Sequence, residues 1–159
     1  MNRYRIAIFA SGEGSNAENI TNYFRGCNAI NVVLIVSNRA DVGVIQRAKR
    51  LKVPYLISSR DELNSLKILY LLEKQNINII ILAGFLLKIP IHLITAFAHR
   101  IINIHPALLP KYGGKGMYGN KIHKAVLLNK EKESGITIHL VNEHYDEGEI
   151  LFQKAVKSC

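Results

Sequence analysis

An imidazole, a primary amide and a carboxylate are the side chains here whose types and spacing could run a reaction. Asn103 and His105 stand two apart at the end of the apolar run 100–104 (RIINI), and Asp146 lies in the acidic stretch 142–149 (NEHYDEGE). Residues two apart on a strand point to one face, so the amide and the imidazole share it while Ile104 faces away. Pro106 stops the ladder and leaves His105 at the carboxyl end of its strand, where open α/β sheets keep their active sites. Such a set suits acyl-type transfer to an amine. His105 could donate a hydrogen bond or a proton to the oxyanion of a tetrahedral intermediate, and Asn103 could supply a second, neutral donor to the same oxygen. Asp146, folded against His105, would favour the charged imidazolium. On spacing alone, a strand end carrying an incidental polar pair is the competing reading.

Other chemistries find less support. Ser11 and Ser15 lie in a glycine loop, and neither Cys27 nor Cys159 is near a histidine in sequence, so a covalent nucleophile has no evident base. The six histidines show no HxH, HExxH or Cys/His spacing, and no metal is expected. Direct attack by a substrate amine is the simplest scheme.

A sheet must hold these groups in place. The run 5–10 (RIAIFA) reads as a buried strand, followed by 11–16 (SGEGSN) and a helix over 16–24. Strand, glycine loop, helix is an arrangement that aims backbone N–H groups at a phosphate. GEGSNA departs from GxGxxG and is no GxxxxGK[ST] loop, so a single phosphate site is expected rather than a dinucleotide site. An ordinary tight turn is the alternative. A second strand at 31–36 has no acid at its tip, which again argues against NAD. A helix at 44–51, a strand at 54–58 and one helix from 59 to 75, with acids in its first turn, follow. The most apolar strand, 77–82 (INIIIL), belongs at the centre of a parallel sheet. The apolar residues after it, 85–89, could be loose packing or one wall of a pocket for a flat ring, and Pro90 suits the first turn of a helix through 96.

Beyond the His105 strand, the glycine-rich stretch 111–120 reads as a loop of the kind that forms lids. A short helix at 122–128 and strands at 135–141 and 150–156 complete the chain. Strands alternating with helices predict an α/β, doubly wound, mainly parallel sheet with antiparallel strands near the C-terminal end, in one domain over 1–159.

With 21 basic and 12 acidic residues the formal charge is +9, which favours anionic partners. The lysines are spread along the chain, so no nucleic-acid partner is expected. Two distant cysteines point to a reduced, cytoplasmic setting. Five apolar residues at 6–10 make no signal sequence, and no run is long enough to span a bilayer, so a soluble protein is expected.

Four segments occur in order along the chain: SGEGSN, ILAGFLLKIP, IINIHPALLPK and GITIHLVNEHYDEGEILFQ. Together they resemble the phosphoribosylglycinamide formyltransferases, the folate-dependent enzymes of purine biosynthesis, from the first strand to about residue 156. The resemblance implies a Rossmann-like formyltransferase fold and formyl transfer from 10-formyltetrahydrofolate, a co-substrate, to the amine of glycinamide ribonucleotide. It implies that Asn103, His105 and Asp146 are catalytic, with His105 as the acid. Gly14, Ser15 and Asn16 would hold the ribonucleotide phosphate. Folate would be bound by Arg60, by Leu86, Leu87, Lys88 and Ile89, by Asn103, and by Asn142, Glu143, His144, Tyr145 and Asp146. His123 and His139 also match family positions and are expected in supporting roles.

Two departures stand out. Many members carry arginine where this chain has Leu87, a change that backbone contacts would survive. Members usually continue past the strand at 150–156 into a helical segment, so the expectation is either that this chain is shortened at its C-terminus or that its last strand is left partly uncovered. A partner subunit could supply the cover, and a homo-oligomer is one expectation. The alternatives are another formyltetrahydrofolate user, namely a methionyl-tRNA formyltransferase or a formyltetrahydrofolate hydrolase, and a truncated folate- or nucleotide-binding protein without turnover.

Overall fold

The computed structural model describes residues 3–114, 120–130, 132–144 and 146–157. Its architecture follows from the parity of the first strand. In β1 (Tyr4–Phe9), Ile6 and Ile8 face one side with Ala10 just beyond, and Ala7 and Phe9 face the other; all are buried. Each face seeds its own apolar layer. The first packs on α1 (Ser15–Phe24) and α2 (Gly43–Leu51) through Ala17, Val44, Ile45 and Ala48. The second packs on α3 (Arg60–Asn64), α4 (Leu66–Lys74) and α5 (Ile91–Ala96) through Leu63, Ile68, Leu72 and Leu93. A nine-residue helix such as α2 is shorter than the roughly 12–15 residues an isolated helix needs. Its buried stripe at 44, 45, 48 and 51, the spacing of one helical face, therefore stabilises it.

Among the described residues, seven strands form one sheet in the order β3-β2-β1-β4-β5-β6-β7. The further strands are β2 (Ile30–Ser37), β3 (Tyr55–Ile57), β4 (Ile79–Leu82), β5 (Ile101–His105), β6 (Glu133–Leu140) and β7 (Ile150–Lys157), with α6 (Asn120–Leu128) between β5 and β6. Strands β1 to β5 pair in parallel, and β6 and β7 add antiparallel. The chain winds outward from β1 to β3 and then returns to β4 on the other flank. The crevice between the carboxyl ends of β1 and β4 is thus the topological switch point, the place where such sheets take ligands. The predicted α/β doubly wound sheet with antiparallel C-terminal strands is the one observed.

Two local expectations are corrected. The single helix predicted over 59–75 is two helices, broken at Ser65, whose backbone is extended (φ −86°, ψ 168°). Ser59 and Glu62 form a capping box on α3, and the Ser65 hydroxyl accepts from the Lys67 N–H to start α4. A serine that can cap competes with helix continuation, which periodicity does not register. Pro90 lies one residue earlier than expected, as the extended N-cap of α5 rather than within its first turn.

Candidate active site

Strand β5 ends as the sequence predicts, with Asn103 and His105 on one face and Pro106 beyond them. Register pairs Asn103 with His139 and His105 with Thr137 on β6, so a second imidazole joins the first pair. Asp146 is carried over them by the turn after β6. That turn is tight: a Cβ on Gly148 would lie 1.6 Å from the Leu140 carbonyl oxygen, and the Leu140 N–H donates to Glu149 O at 2.8 Å. Only glycine permits that approach at 148. Asp146 itself takes a left-handed backbone (φ 57°), and the Gly114 N–H donates to its Oδ2 at 2.7 Å.

The result is a buried polar cluster. Asp146 Oδ1 lies 3.5 Å from His105 Nδ1 and 3.6 Å from His139 Nε2, distances of ion pairs rather than of tight hydrogen bonds. His105 is 3% exposed and His139 2%. The Nε2–H of His105 donates to the Tyr112 carbonyl at 2.7 Å, because a carbonyl can only accept. By the same logic the Nδ1–H of His139 donates to Leu140 O at 2.9 Å. When that ring is neutral, its Nε2 accepts from the Asn103 amide at 3.0 Å; when it is charged, Nε2–H turns to Asp146. Burial pushes the Asp146 carboxyl upward. Its contact with His139, the Gly114 N–H and the charges of His105 and His139 outweigh that cost, and the net shift is below the ordinary aspartate value.

This cluster lines a cavity of about 510 Å³. Its walls are Gly84 to Ile89 after β4, Asn103 to Pro106, and the turn bearing Asn142, Glu143, His144 and Asp146. Leu86 is 46% exposed and fits an apolar wall, whereas the Ile89 side chain is only 4% exposed and belongs to the core. A second cavity of about 480 Å³ adjoins it and shares Leu86, Leu87, Lys88, Ile89 and Glu143. Arg60, the first residue of α3, lines this second cavity and not the first. His144 and Glu143 are exposed, their side chains 3.6 Å apart. Tyr145, predicted to bind folate, lies outside the described residues. So does part of the predicted lid, residues 115–119.

The glycine turn after β1 reaches the same crevice. Gly14 is the N-cap of α1 with φ 80°, a backbone that side chains resist, and a Cβ there would lie 2.6 Å from Val44 Cβ. The Gly12 carbonyl accepts from Val44 N–H at 3.0 Å, and the Glu13 carbonyl accepts from Arg47 Nε at 2.7 Å. Helix α2 thus holds both carbonyls back, and α1 presents the N–H groups of its first turn. Of the three predicted phosphate residues, only Asn16 lines the large cavity; Gly14 and Ser15 flank it. Glu18 binds Arg47 and Arg50, tying α1 to α2 behind the turn.

Sequence reasoning gave His139 only a supporting role and did not single out the Tyr112 carbonyl or the Gly114 N–H. The alternation of GITIHLV does aim His139 and Thr137 to one face, but only the β5–β6 register makes that face the one carrying His105. His123, the other supporting histidine, is exposed on α6. Among the described residues no group of three or more His, Cys, Asp or Glu side chains is placed to hold a metal ion.

A family model described as formyl transferase matches residues 4–158. The chain belongs to the formyl transferase family. It is 44% identical over 165 residues to the chloroplastic phosphoribosylglycinamide formyltransferase of Arabidopsis thaliana, covering 98% of this chain and 56% of the relative. The chloroplastic enzyme of Vigna unguiculata is 41% identical, covering 97% of this chain and 51% of the relative. The chain therefore spans about half the length of the curated relatives it matches. The crystal structure of glycinamide ribonucleotide transformylase 1 from Geobacillus kaustophilus superposes with a TM-score of 0.88 at 34% identity, covering 99% of this chain and 85% of that one. A formyl transferase must bring a one-carbon donor and an acceptor together, and a cavity that is lined by a buried His–Asp cluster and continues along 86–89 into a second one suits that task.

Proposed function

We propose that this chain transfers a formyl group from 10-formyltetrahydrofolate to the amine of glycinamide ribonucleotide, a step of purine biosynthesis. The observation that carries this reading is the meeting of Asn103, His105 and Asp146 on a cavity that the glycine turn also reaches. The names of the Arabidopsis and Vigna relatives support the acceptor and the group transferred. In this scheme the amine nitrogen attacks the formyl carbon, a C–N bond forms, and the formyl oxygen becomes an oxyanion. Collapse breaks the bond to the folate nitrogen; the attacking amine loses a proton and the folate nitrogen gains one. His105 and Asn103 donate to the oxyanion, and Asp146 stabilises the imidazolium. Because the His105 Nε2–H now donates to Tyr112, the reacting oxygen takes the place of that carbonyl.

Gly14, Ser15 and Asn16 hold the ribonucleotide phosphate on the N-terminus of α1. The pterin lies between the wall of Leu86, Leu87, Lys88 and Ile89 and the turn of Asn142, Glu143, His144 and Asp146, with Arg60 meeting the outer part of the folate. Residues 1–159 act as one formyltransferase domain in this reading. Cys27 is free, which fits a reducing compartment such as the cytoplasm, and no described helix is long and apolar enough to cross a membrane. A homo-oligomer would cover β7, whose residues are exposed along its length, and sedimentation velocity tests it.

The deciding experiment follows formyl transfer to glycinamide ribonucleotide with formate release monitored in parallel. Transfer is the expected result. Formate release without transfer would point to a hydrolase, and silence in both would favour a binding protein. No step here needs a metal, so a chelator is expected to leave turnover unchanged; inhibition reversed by added zinc would contradict that scheme.

A further inference from the structure

Ser11 lines neither cavity, yet its atoms touch the backbone on both sides of the switch point. It is the first residue of the glycine turn after β1 and is 2% exposed. Its N–H donates to Gly84 O at 3.0 Å. Its hydroxyl accepts from the Leu86 N–H at 2.9 Å and donates to Asn38 Oδ1 at 2.5 Å. One small side chain therefore pins together the loops that follow β1, β2 and β4. The rest of the turn is anchored elsewhere, because Gly12 O and Glu13 O are held by Val44 and Arg47 of α2. The link through Ser11 thus joins a turn fixed to one layer of the molecule to a wall, 84–89, packed on the other through Phe85 and Ile89.

We propose that Ser11 is a positioning residue whose buried hydroxyl fixes the spacing between the phosphate turn at 12–16 and the folate wall at 84–89, and so the distance from the acceptor amine to the formyl carbon. The inference rests on the functional reading above. A hydroxyl donates and accepts at once, which is what the Leu86 N–H and the Asn38 amide oxygen together require. Alanine at 11 takes from both a partner supplied by a residue that is itself 2% exposed. Each substrate keeps its own contacts, so binding survives. The reaction between them does not tolerate the slack, since a displacement of about 1 Å between reacting groups costs on the order of 10²-fold in rate.

That split separates positioning from mere stability. Ser11→Ala is compared with Thr21→Val, which removes another buried hydroxyl, bonded to Ala17 O within α1 and lining neither cavity. Both variants and the unaltered protein are assayed for transfer to the ribonucleotide and for formate release from the donor. For Ser11→Ala, kcat for transfer is expected to fall about 10- to 100-fold, with each KM changed by no more than about threefold and formate release unchanged. Asn38→Ala loosens the same hydroxyl from its other side and is expected to show the same split to a smaller extent, which keeps the test open if Ser11→Ala does not fold. Thr21→Val is expected to show no such split. Unaltered kcat in Ser11→Ala and Asn38→Ala, or equal losses in transfer and formate release, would overturn the proposal. Unaltered protein that transfers nothing to the ribonucleotide would overturn the functional reading, and this inference with it.

Discussion

His105 is buried, bonded through Nε2 and faced by a carboxylate at Nδ1, so both of its nitrogens have defined roles. Replacing it with asparagine keeps a polar group in the space but removes the ionisable donor. His105→Asn is expected to lower kcat/KM on the order of 10²- to 10⁴-fold while circular dichroism still shows a cooperative melt. A fully active variant would sink the assignment. Asp146 offers a pH test with a definite sign. Its carboxyl is held below the ordinary value in the folded chain, so the stability it contributes is present above the unfolded pKa and is lost as pH falls through the folded one. The difference in unfolding free energy between the natural chain and Asp146→Asn should therefore be full near neutrality and shrink below about pH 4. Urea titrations at several pH values measure it; a difference that does not vary with pH would mean the carboxylate is not held by its partners.

At the scale of the element, the turn 12–16 is held in place by a helix that never reaches the cavity. Helix α2 touches Gly12, Glu13 and Gly14 in succession through Val44 and Arg47, residues three apart on one face. Gly14→Ala would meet both obstacles at once, a left-handed backbone and Val44 at 2.6 Å. The expected cost is about 1–3 kcal/mol of stability, read by thermal melting, together with a raised KM for the ribonucleotide at a KM for folate near that of the natural chain. An unchanged KM for the ribonucleotide would remove the turn from the phosphate site. The antiparallel pair β6–β7 has a comparable role on the other flank, because its turn delivers Asp146 to β5.

For the whole molecule, charge and surface set the remaining behaviour. Under the proposed function, a net charge of +9 would attract a phosphorylated acceptor and an anionic folate over distances that salt shortens. The expectation is that kcat/KM for the ribonucleotide falls about threefold to tenfold as ionic strength rises from roughly 0.05 to 0.5 M. Rates that ignore salt would leave the basic surface without a part in capture. The surface also carries an apolar edge, since Ile150, Leu151, Phe152 and Val156 of β7 are each about half exposed. Among the described residues β7 is the last strand of the sheet, and under the proposed reading such an edge with apolar side chains is where a second copy would pair.

Local pattern alone was enough for much of this molecule. Alternating apolar strands and amphipathic helices fix an α/β doubly wound sheet, because each period buries one face and leaves no other economical packing. Asn103 and His105 were legible for the same reason, as two side chains one strand period apart ahead of a proline. The break at Ser65 was not, since a capping hydroxyl competes with the helix over a single residue that a periodic pattern averages away. What the tertiary structure decided is every contact across the sheet. His139 joins the cluster only through the β5–β6 register, and Asp146 closes on it only because Gly148 lets the turn pass over Leu140. Tyr112 caps His105 from a loop, and Ser11 meets Leu86 75 residues away. Such pairings depend on which strands become neighbours, a choice made by the packing of whole layers and not by the residues on either side of the bond.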